Sequence, residues 1–308
     1  MTPLLLQGMH GLGDNLHERA LVRELMRTNE VWLKTSWPQL FWDLERDLHL
    51  LPLKSPIAWM AKNEIRTAAL YGRTPAPSSA RTITNGYLGK MPKGIADYGS
   101  VLGTMANICG VQMVGDFRLP IAPAWRERAE AVLARLKPTK PILIYRPQIA
   151  ISEANRLSAQ AKIARNPDAE VYRALYAAIR DRYFVISLAD VTQNVERLIG
   201  EQIEPDAAFH AGELNIEEIA ALVSMSAMVL CSPGFMAVLA QAVGARSVCV
   251  FGGFEDARSF SAGARFTPTL SIEPIHPCAC WLPACAHSKE IDMQTALARI
   301  AQFTGGVK

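Results

Sequence analysis

The sequence predicts an α/β protein built from two doubly wound parallel-sheet domains in tandem. Its 308 residues suit two domains of ordinary size better than one. Short apolar runs alternate with segments of helical periodicity, and this alternation starts again after the middle of the chain. Prolines cluster between the two stretches, which is typical of a domain boundary.

The first half opens with the order strand, glycine-rich loop, helix, strand. Leu4–Leu6 is a buried-strand run, and Val31–Lys34 is the second strand. The helix between them carries apolar residues at helical spacing, at Leu16, Ala20, Leu21 and Leu25. This order is the opening of a doubly wound fold. From Pro52 to Pro120 glycine and proline interrupt the pattern, so the loops there either contact a ligand or are plain connections.

Four prolines bracket a predicted helix over Trp125–Leu136 and place a boundary in this region: Pro120, Pro123, Pro138 and Pro141. We therefore predict an N-terminal domain over residues 1–137 and a C-terminal domain over residues 138–308.

Predicted strands and helices alternate throughout the second half. The strands are Ile142–Tyr145, Tyr183–Ser187, Ala227–Cys231 and Ser247–Phe251, and the helices are Ala169–Arg182, Ile216–Met225, Phe235–Val243 and Met293–Phe303. This alternation predicts a parallel sheet covered on both faces. Two such units in tandem are expected to leave a cleft, with ligands bound at the carboxyl ends of the strands.

Composition narrows the class of protein. The net charge of +3, from 32 basic and 29 acidic residues, is too small to indicate a nucleic-acid-binding protein. It is compatible with an anionic ligand or with peripheral contact with a negatively charged membrane surface.

No run approaches the roughly 20 apolar residues of a membrane helix. We interpret Met1–Gln7 as a strand and not a signal peptide, and six cysteines do not make a disulfide scaffold. The expected location is the cytoplasm, with the inner face of the membrane as an alternative.

The glycine-rich loop ends in Gly11-Leu12-Gly13-Asp14, just where the first helix is predicted to begin. Glycines let the backbone approach a ligand closely, and the Asp14 carboxylate could act on that ligand. The simpler interpretation is that Asp14 only caps the helix. A nucleotide-cofactor fingerprint is not complete, because Leu16 stands where its third glycine would be.

Two strand-to-helix connections in the second half could bind an anion. Cys231-Ser232-Pro233-Gly234 precedes a helix whose N-terminus suits a diphosphate, although an ordinary turn capped by Ser232 explains it equally well. Gly252 and Gly253 follow the next strand, and Glu255 or Asp256 could accept hydrogen bonds from sugar hydroxyls. A plain glycine-rich connection is the alternative.

Basic residues near the start of the second half could contact phosphate. Arg146 ends the first strand there, and a guanidinium matches phosphate oxygens in a bidentate way. Lys162, Arg165 and Asn166 lie on a long polar segment, about Gln148 to Pro167, which suggests a lid. For Lys162 and Arg165, solvated surface charge is the competing interpretation.

Three cysteines and two histidines cluster near the C-terminus: His276, Cys278, Cys280, Cys285 and His287. Their spacing is not that of a zinc ribbon, so we favour packing or a thiol cluster over a structural metal. No D-x-D motif is present for a metal-bound sugar diphosphate. We therefore expect no metal cofactor, with positive side chains and helix ends neutralising any diphosphate.

Together these motifs resemble glycosyltransferase family 9, the ADP-heptose:lipopolysaccharide heptosyltransferases. The segment Gly11–Leu16 resembles the G-x-G-D motif of that family, and Ser232–Gly244 resembles its donor-site turn and helix. Val250–Asp256 resembles the strand and loop that follow. The Cys278–Cys285 region is similar to the cysteine-bearing tail of many members.

The resemblance implies a GT-B fold with two Rossmann-like domains facing a cleft, the N-terminal one on the acceptor side. It implies an inverting glycosyltransferase in lipopolysaccharide biosynthesis that uses a nucleotide-sugar donor, typically ADP-heptose, and a saccharide or lipid-linked saccharide acceptor. Asp14 falls on the general-base position, and Gly11, Gly13 and Asn15 surround it. The donor-binding residues implied are Arg146, Lys162, Ser232, Pro233, Gly234, Gly252, Gly253 and Glu255.

Three donor-region positions depart from the family pattern, with Ser232 in place of aspartate, Ala237 in place of histidine and Gly253 in place of proline. They leave room for another nucleotide sugar. They also keep open two alternatives, the same fold acting on an unusual acceptor such as modified DNA, and a non-catalytic nucleotide-sugar-binding protein.

Overall fold

The computed structural model describes residues 1–54, 63–112, 116–151, 164–192 and 196–305. The chain forms two compact units, the first made of Met1–Pro120 with Arg258–Ala262, and the second of Ile121–Ala257 with Gly263–Lys308. The helix over Pro123–Leu136 belongs to the second unit. The division observed therefore lies before this helix, whereas the boundary expected from the sequence lies after it.

The first unit is a four-stranded parallel sheet with the strand order β3-β2-β1-β4. The strands are Thr2–Gln7 (β1), Asn29–Thr35 (β2), Leu48–Pro52 (β3) and Arg81–Thr84 (β4), and the helices are Leu12–Leu25 (α1), Lys93–Tyr98 (α2) and Val101–Ile108 (α3). Leu4 and Leu6 of the central strand are fully buried, as is Leu16 of α1. Because β1, β2 and β4 are parallel and in register, their carboxyl ends meet where the glycine-rich loop begins.

The second unit contains a six-stranded parallel sheet with the order β12-β11-β10-β5-β7-β9. Its strands are Ile142–Tyr145 (β5), Phe184–Leu188 (β7), Ala207–Phe209 (β9), Met228–Cys231 (β10), Ser247–Val250 (β11) and Thr269–Ile272 (β12). Ile149–Ile151 (β6) and Glu196–Leu198 (β8) form a separate antiparallel pair. The central strands β5, β10 and β11 are buried along their whole length, which requires cover on both faces.

Helices supply that cover. They are Pro123–Leu136 (α4), Ala169–Arg180 (α5), Ile216–Met225 (α6), Phe235–Val243 (α7) and Met293–Gly305 (α8). Helices α5 and α8 bury Tyr176 and Ile300 in one core with alternate strand residues such as Leu143 and Val248. Helix α6 packs against β5, and α7 packs against β10 and β11. The predicted α/β fold with two parallel sheets is confirmed. Among the described residues, no helix has the length and apolarity needed to cross a membrane.

Candidate functional site

The glycine-rich loop of the first unit connects β1 to α1 at the carboxyl edge of the sheet. Helix α1 begins at Leu12 with Gly11 as its N-cap, so Gly13 and Asp14 lie within its first turn. Asp14 is therefore not the cap that the simpler interpretation required. Its position at a helix N-terminus favours the ionised carboxylate.

The Asp14 carboxylate is held from two sides. Its Oδ1 accepts a hydrogen bond of 2.8 Å from the Tyr87 hydroxyl. Its Oδ2 lies directly over Gly11, where a β-carbon would overlap with it. Because the carboxylate folds back across the loop, a side chain at position 11 would displace it. The side chain is partly exposed, so it can reach a proton on a bound molecule.

Asn15 is buried and holds the glycine-rich loop in place through hydrogen bonds to its backbone. Its Nδ2 donates to the carbonyl oxygens of Met9 at 2.7 Å and Gly11 at 2.8 Å, and its Oδ1 accepts from Thr35 at 2.6 Å. These bonds tie the loop to both α1 and the end of β2. Asn15 was predicted as a residue of the acceptor-side loop around Asp14, and in the structure it supports that loop.

Glu18 is a second carboxyl group on α1, one turn after Asp14, and it is fully buried. Its Oε1 accepts hydrogen bonds from the Met9 backbone N–H and from Asn85 Nδ2, both at 2.9 Å. Burial, opposed by the Asn85 bond and reinforced by the charge of Asp14, raises the pKa of Glu18 to about 8. This shift of the pKa favours the protonated form of Glu18 at neutral pH.

The sequence pattern did not identify Tyr87, Asn85 or Glu18. One signal for Glu18 was available, because it precedes Leu21 and Leu25 by three and seven residues and so lies within the apolar stripe of α1. Tyr87 and Asn85 stand just after the short strand β4. Only the pairing of β4 with β1 brings them to the loop, and that pairing is not visible locally.

In the second unit, the turn after β10 leads into α7 through Ser232, Pro233 and Gly234. The N-cap is Gly234 and not Ser232, and no side chain of the described residues caps this helix end. Gly234 has φ 147° and ψ −158°, a conformation that essentially only glycine adopts. The half-buried Ser232 lies before an uncapped helix N-terminus, an arrangement suited to an anion.

Arg146 lies beside this turn. Its guanidinium carbon is 5.0 Å from the ring centroid of Phe235, the first residue of α7. The same group donates to the Leu188 carbonyl at 2.8 Å and to Glu196 Oε1 at 2.6 Å. Arg146 therefore brings positive charge to the helix N-terminus while linking the ends of β5, β7 and β8.

A serine–histidine pair lies at the same edge of the sheet and was not predicted. Ser187 Oγ and His210 Nε2 are 2.8 Å apart. Burial, followed by the positive charge of Arg146, lowers the pKa of His210. A neutral imidazole here can exchange hydrogen bonds with a hydroxyl group.

Gly252 and Gly253, after β11, let two other segments of the backbone pack closely against this loop. A β-carbon on Gly252 would overlap with the Asn166 carbonyl oxygen, and one on Gly253 would lie 2.5 Å from the Ser288 carbonyl oxygen. Glu255 is 1% exposed, and its Oε1 is 3.3 Å from Arg165 Nε. Segments near residues 166 and 288 therefore pack on this loop.

The predicted polar lid is described only at its two ends. Gln148 Nε2 donates to the Pro167 carbonyl at 2.9 Å, and Asn166 Nδ2 donates to the Ile149 carbonyl at 3.0 Å. Lys162, predicted to bind the donor, lies outside the described residues.

The C-terminal cysteines come together with a histidine. The ligand atoms of Cys278, Cys280, Cys285 and His287 all lie within 4.8 Å of one another. The Sγ atoms of Cys278 and Cys285 are 3.8 Å apart, and Cys280 Sγ is 3.9 Å from His287 Nδ1. A tetrahedral metal–thiolate site has sulfur–sulfur edges of about 3.8 Å. The geometry of these residues fits a metal ion, and His276 is not part of the group.

The orientation of His287 agrees with this fit. Its Nε2 is 3.0 Å from the Leu282 carbonyl oxygen, which can only accept a hydrogen bond. The proton therefore belongs on Nε2, and Nδ1 is left to face Cys280 as a metal-ligating nitrogen.

Comparison with solved structures identifies glycosyltransferases of the same fold. A glycosyltransferase of family 9 from Veillonella parvula is 10% identical with a TM-score of 0.56, covering 88% of this chain and 86% of that one. TibC, an iron-containing dodecameric glycosyltransferase of enterotoxigenic Escherichia coli, is 15% identical with a TM-score of 0.59, covering 99% of this chain and 74% of TibC. ADP-heptose lipopolysaccharide heptosyltransferase II of E. coli is 11% identical with a TM-score of 0.52, covering 98% of each chain.

At these identities the likeness shows the fold, and it agrees with the predicted GT-B class. Neither the protein-family models nor the sequences of curated proteins give a match.

The expectation that the protein has no metal cofactor is wrong. It rested on the absence of a D-x-D motif and on the unusual spacing of the cysteines along the sequence. The structure brings three thiols and an imidazole into one group that could hold a metal, and the similar TibC is described as iron-containing. Spacing failed as a guide because the turns between the ligands, and not a paired C-x2-C pattern, bring them together.

Proposed function

We propose that this chain is an inverting glycosyltransferase that moves a sugar from a nucleoside-diphosphate donor to a hydroxyl group of a saccharide acceptor. The observation that carries the proposal is the Asp14 carboxylate, oriented by Tyr87 at the carboxyl edge of a parallel sheet. The fold shared with three glycosyltransferases supports it.

The reaction is a single displacement with Asp14 as general base. Asp14 takes the proton of the acceptor hydroxyl while the hydroxyl oxygen bonds to the anomeric carbon of the donor sugar. The bond from that carbon to the diphosphate oxygen breaks, and the nucleoside diphosphate leaves with the electron pair.

The second unit binds the donor. The uncapped N-terminus of α7, the Ser232 hydroxyl and the positive charge of Arg146 act on the diphosphate. The bond from Arg146 to Glu196 limits how much of its charge is available. The helix end and its backbone N–H groups therefore provide most of the stabilisation, with Gly252, Gly253 and Glu255 shaping the neighbouring loop.

The first donor to test is ADP-D-β-D-heptose, because TibC has been solved in complex with it at a TM-score of 0.60 to this chain. The proposed acceptor is a saccharide or lipid-linked saccharide, and the proposed location is the cytoplasm, at the inner face of the membrane when the acceptor is lipid-linked.

We also propose that Cys278, Cys280, Cys285 and His287 hold a metal ion. A zinc or iron ion bound there would supply structural cross-linking of the C-terminal turn. The turn that carries these residues is held next to the loop after β11, because the Ala279 N–H donates to the Gly253 carbonyl at 2.9 Å.

A thermal-shift titration with ADP, UDP and their sugar derivatives tests the donor site. A ligand that binds the native state raises the melting temperature. We expect one nucleotide sugar to do so, and Asp14→Asn to keep the shift because the base does not bind the donor. If no nucleotide or nucleotide sugar shifts the folded protein, the donor site is wrong.

The Ser232→Ala variant tests whether the donor diphosphate binds at the turn before α7. Loss of one hydroxyl donor should weaken donor affinity by about fivefold. Ser226→Ala is the matched control, because Ser226 is equally half-buried but donates to the Val223 carbonyl at the end of α6. Equal effects of the two changes would argue against diphosphate binding at Ser232.

A further inference from the structure

Two carboxyl groups on α1, those of Asp14 and Glu18, contact the same loop. A β-carbon on Gly11 would overlap with Asp14 Oδ2, and a β-carbon on Gly8 would lie 2.7 Å from Glu18 Oε2. At Gly8 the Lys34 carbonyl oxygen is equally close, 2.6 Å from the same β-carbon, so the backbone of β2 and the Glu18 carboxyl group both limit that position. Asp14 is partly exposed, whereas Glu18 has no exposed surface and takes no part in the displacement described above.

Glu18 joins the two segments that surround Asp14. Its Oε1 accepts a hydrogen bond from the backbone N–H of Met9 in the glycine-rich loop, and the Met9 carbonyl oxygen accepts one from Asn15. Glu18 Oε1 also accepts a hydrogen bond from Asn85, whose backbone N–H donates to the Gln7 carbonyl at 3.1 Å. Two residues after Asn85, Tyr87 donates to Asp14.

The surroundings of Glu18 oppose a negative charge. Within the part of the chain that the structure describes, no lysine or arginine forms an ion pair with it, and its Oε2 has no hydrogen-bond partner. Among the described residues, the charge of Asp14 on its own helix raises the pKa of Glu18, and Glu18 in turn contributes to the raised pKa of the Cys109 thiol just after α3. Asp14 and Cys109 are neutral or negative, so neither compensates an ionised Glu18.

We propose that Glu18 is a positioning residue whose neutral carboxyl group connects the glycine-rich loop to the Asn85–Tyr87 segment and so fixes the Asp14 carboxylate between them. This role rests on the proposed function of Asp14 as the base. An ionised Glu18 would place a second negative charge beneath the loop and disrupt the packing that orients Asp14. Transfer should therefore fail when Glu18 loses its proton, even though Glu18 touches no substrate.

Two variants separate this role from simple packing. Glu18→Gln keeps a carbonyl oxygen for the Met9 and Asn85 bonds and cannot ionise, whereas Glu18→Ala removes the acceptor. With ADP-D-β-D-heptose as donor, kcat should fall by about 100-fold in Glu18→Ala while the donor KM stays the same. Glu18→Gln should recover most of that loss at neutral pH, and it should lack the decline in kcat/KM that we expect of the wild type above about pH 8.

The protonation state is measured without any donor. The infrared difference spectrum of wild type minus Glu18→Gln should contain the carbonyl band of a protonated carboxyl at neutral pH, which an alkaline titration removes. A carboxylate band at neutral pH would overturn the proposal, as would a Glu18→Gln enzyme that keeps the alkaline decline or is as slow as Glu18→Ala. Absence of turnover in the wild type would count against the proposed function, and the infrared result would still decide the state of Glu18.

Discussion

At the scale of single residues, Asp14 occupies space that any side chain at position 11 would need. Gly11 has φ −66° and ψ 139°, which alanine also adopts, so Gly11→Ala should leave the fold intact and displace only the carboxylate. A base misplaced by about 1 Å can lose about 100-fold in rate. We expect a loss of this order in kcat, with an unchanged melting temperature.

Gly89→Ala is the control for this change. Gly89 lies in the same unit, two residues after Tyr87, and a β-carbon there would meet nothing within 4 Å. The control should keep wild-type kcat. If Gly11→Ala does the same, the Asp14 carboxylate does not need the position that the structure gives it.

The buried Glu18 makes stability depend on pH. Its pKa is about 8 in the folded chain against 4.5 for an ordinary glutamate, because burial favours the protonated form. Between these values unfolding releases a proton, so the free energy of unfolding falls by about 1.4 kcal/mol for each pH unit of increase. This contribution is fully present below about pH 4.5 and lost by about pH 8.

Denaturant unfolding of wild type and Glu18→Gln at several pH values measures this directly. The stability of the variant relative to wild type should rise with pH up to about 8 and then stay constant. His17, whose pKa burial lowers to about 4, is present in both proteins and cancels in the difference. A difference that does not change with pH would mean that Glu18 is ionised in the folded protein.

The sequence allowed prediction of only part of the candidate site. Asp14, Gly11 and the turn Ser232–Gly234 were predicted because each lies within one strand-to-helix connection, where local pattern is informative. Tyr87 and Asn85 reach Asp14 and Glu18 only through the pairing of β4 with β1, across about seventy residues of chain. Such contacts depend on tertiary structure and have no local signal.

At the scale of elements, the cysteine-bearing turn is fixed to the loop after β11. Ala279 and Trp281 have φ 47° and 58°, uncommon for residues other than glycine, and their N–H groups donate to the Gly253 and Phe254 carbonyls. The Phe254 ring also contacts the rings of Trp281 and His287. A metal ion bound at the proposed site would therefore support a loop next to the proposed donor site.

His287→Gln tests this coupling, with His276→Gln as the matched control outside the ligand group. Elemental analysis should find about one zinc or iron ion per wild-type or control chain, and less in His287→Gln. The same variant should melt at a lower temperature and bind the donor more weakly, because the loop loses its support. Equal metal content in all three proteins would contradict the assignment of His287.

Three elements have the boundaries expected from the sequence, and most of their residues are buried. They are helices Ile216–Met225 and Phe235–Val243 and strand Ile142–Tyr145. Strands β4 and β9 were not predicted, because they have four and three residues and are partly exposed, so they carry little apolar pattern. Strand β12 was missed although it pairs along its length with β11.

At the scale of the whole molecule, the chain forms two units, and each has its own parallel sheet. Helix α4 belongs to the second unit because it packs against α6. The prolines around it therefore bracket a helix and do not coincide with the boundary between the units. Residues 258–262 return to the first unit, where Ser261 Oγ donates to the Gly99 carbonyl at 3.2 Å. The proposed reaction assigns the base to one unit and the donor to the other.

The most direct test of this account is release of ADP from ADP-D-β-D-heptose in the presence of a deacylated lipopolysaccharide core saccharide, with wild type compared with Asp14→Asn. The account predicts that wild type releases ADP and forms the glycosylated saccharide. It predicts that Asp14→Asn does so at least about 100-fold more slowly while binding the donor equally well. Transfer at the wild-type rate by Asp14→Asn would contradict the assignment of Asp14 as the base.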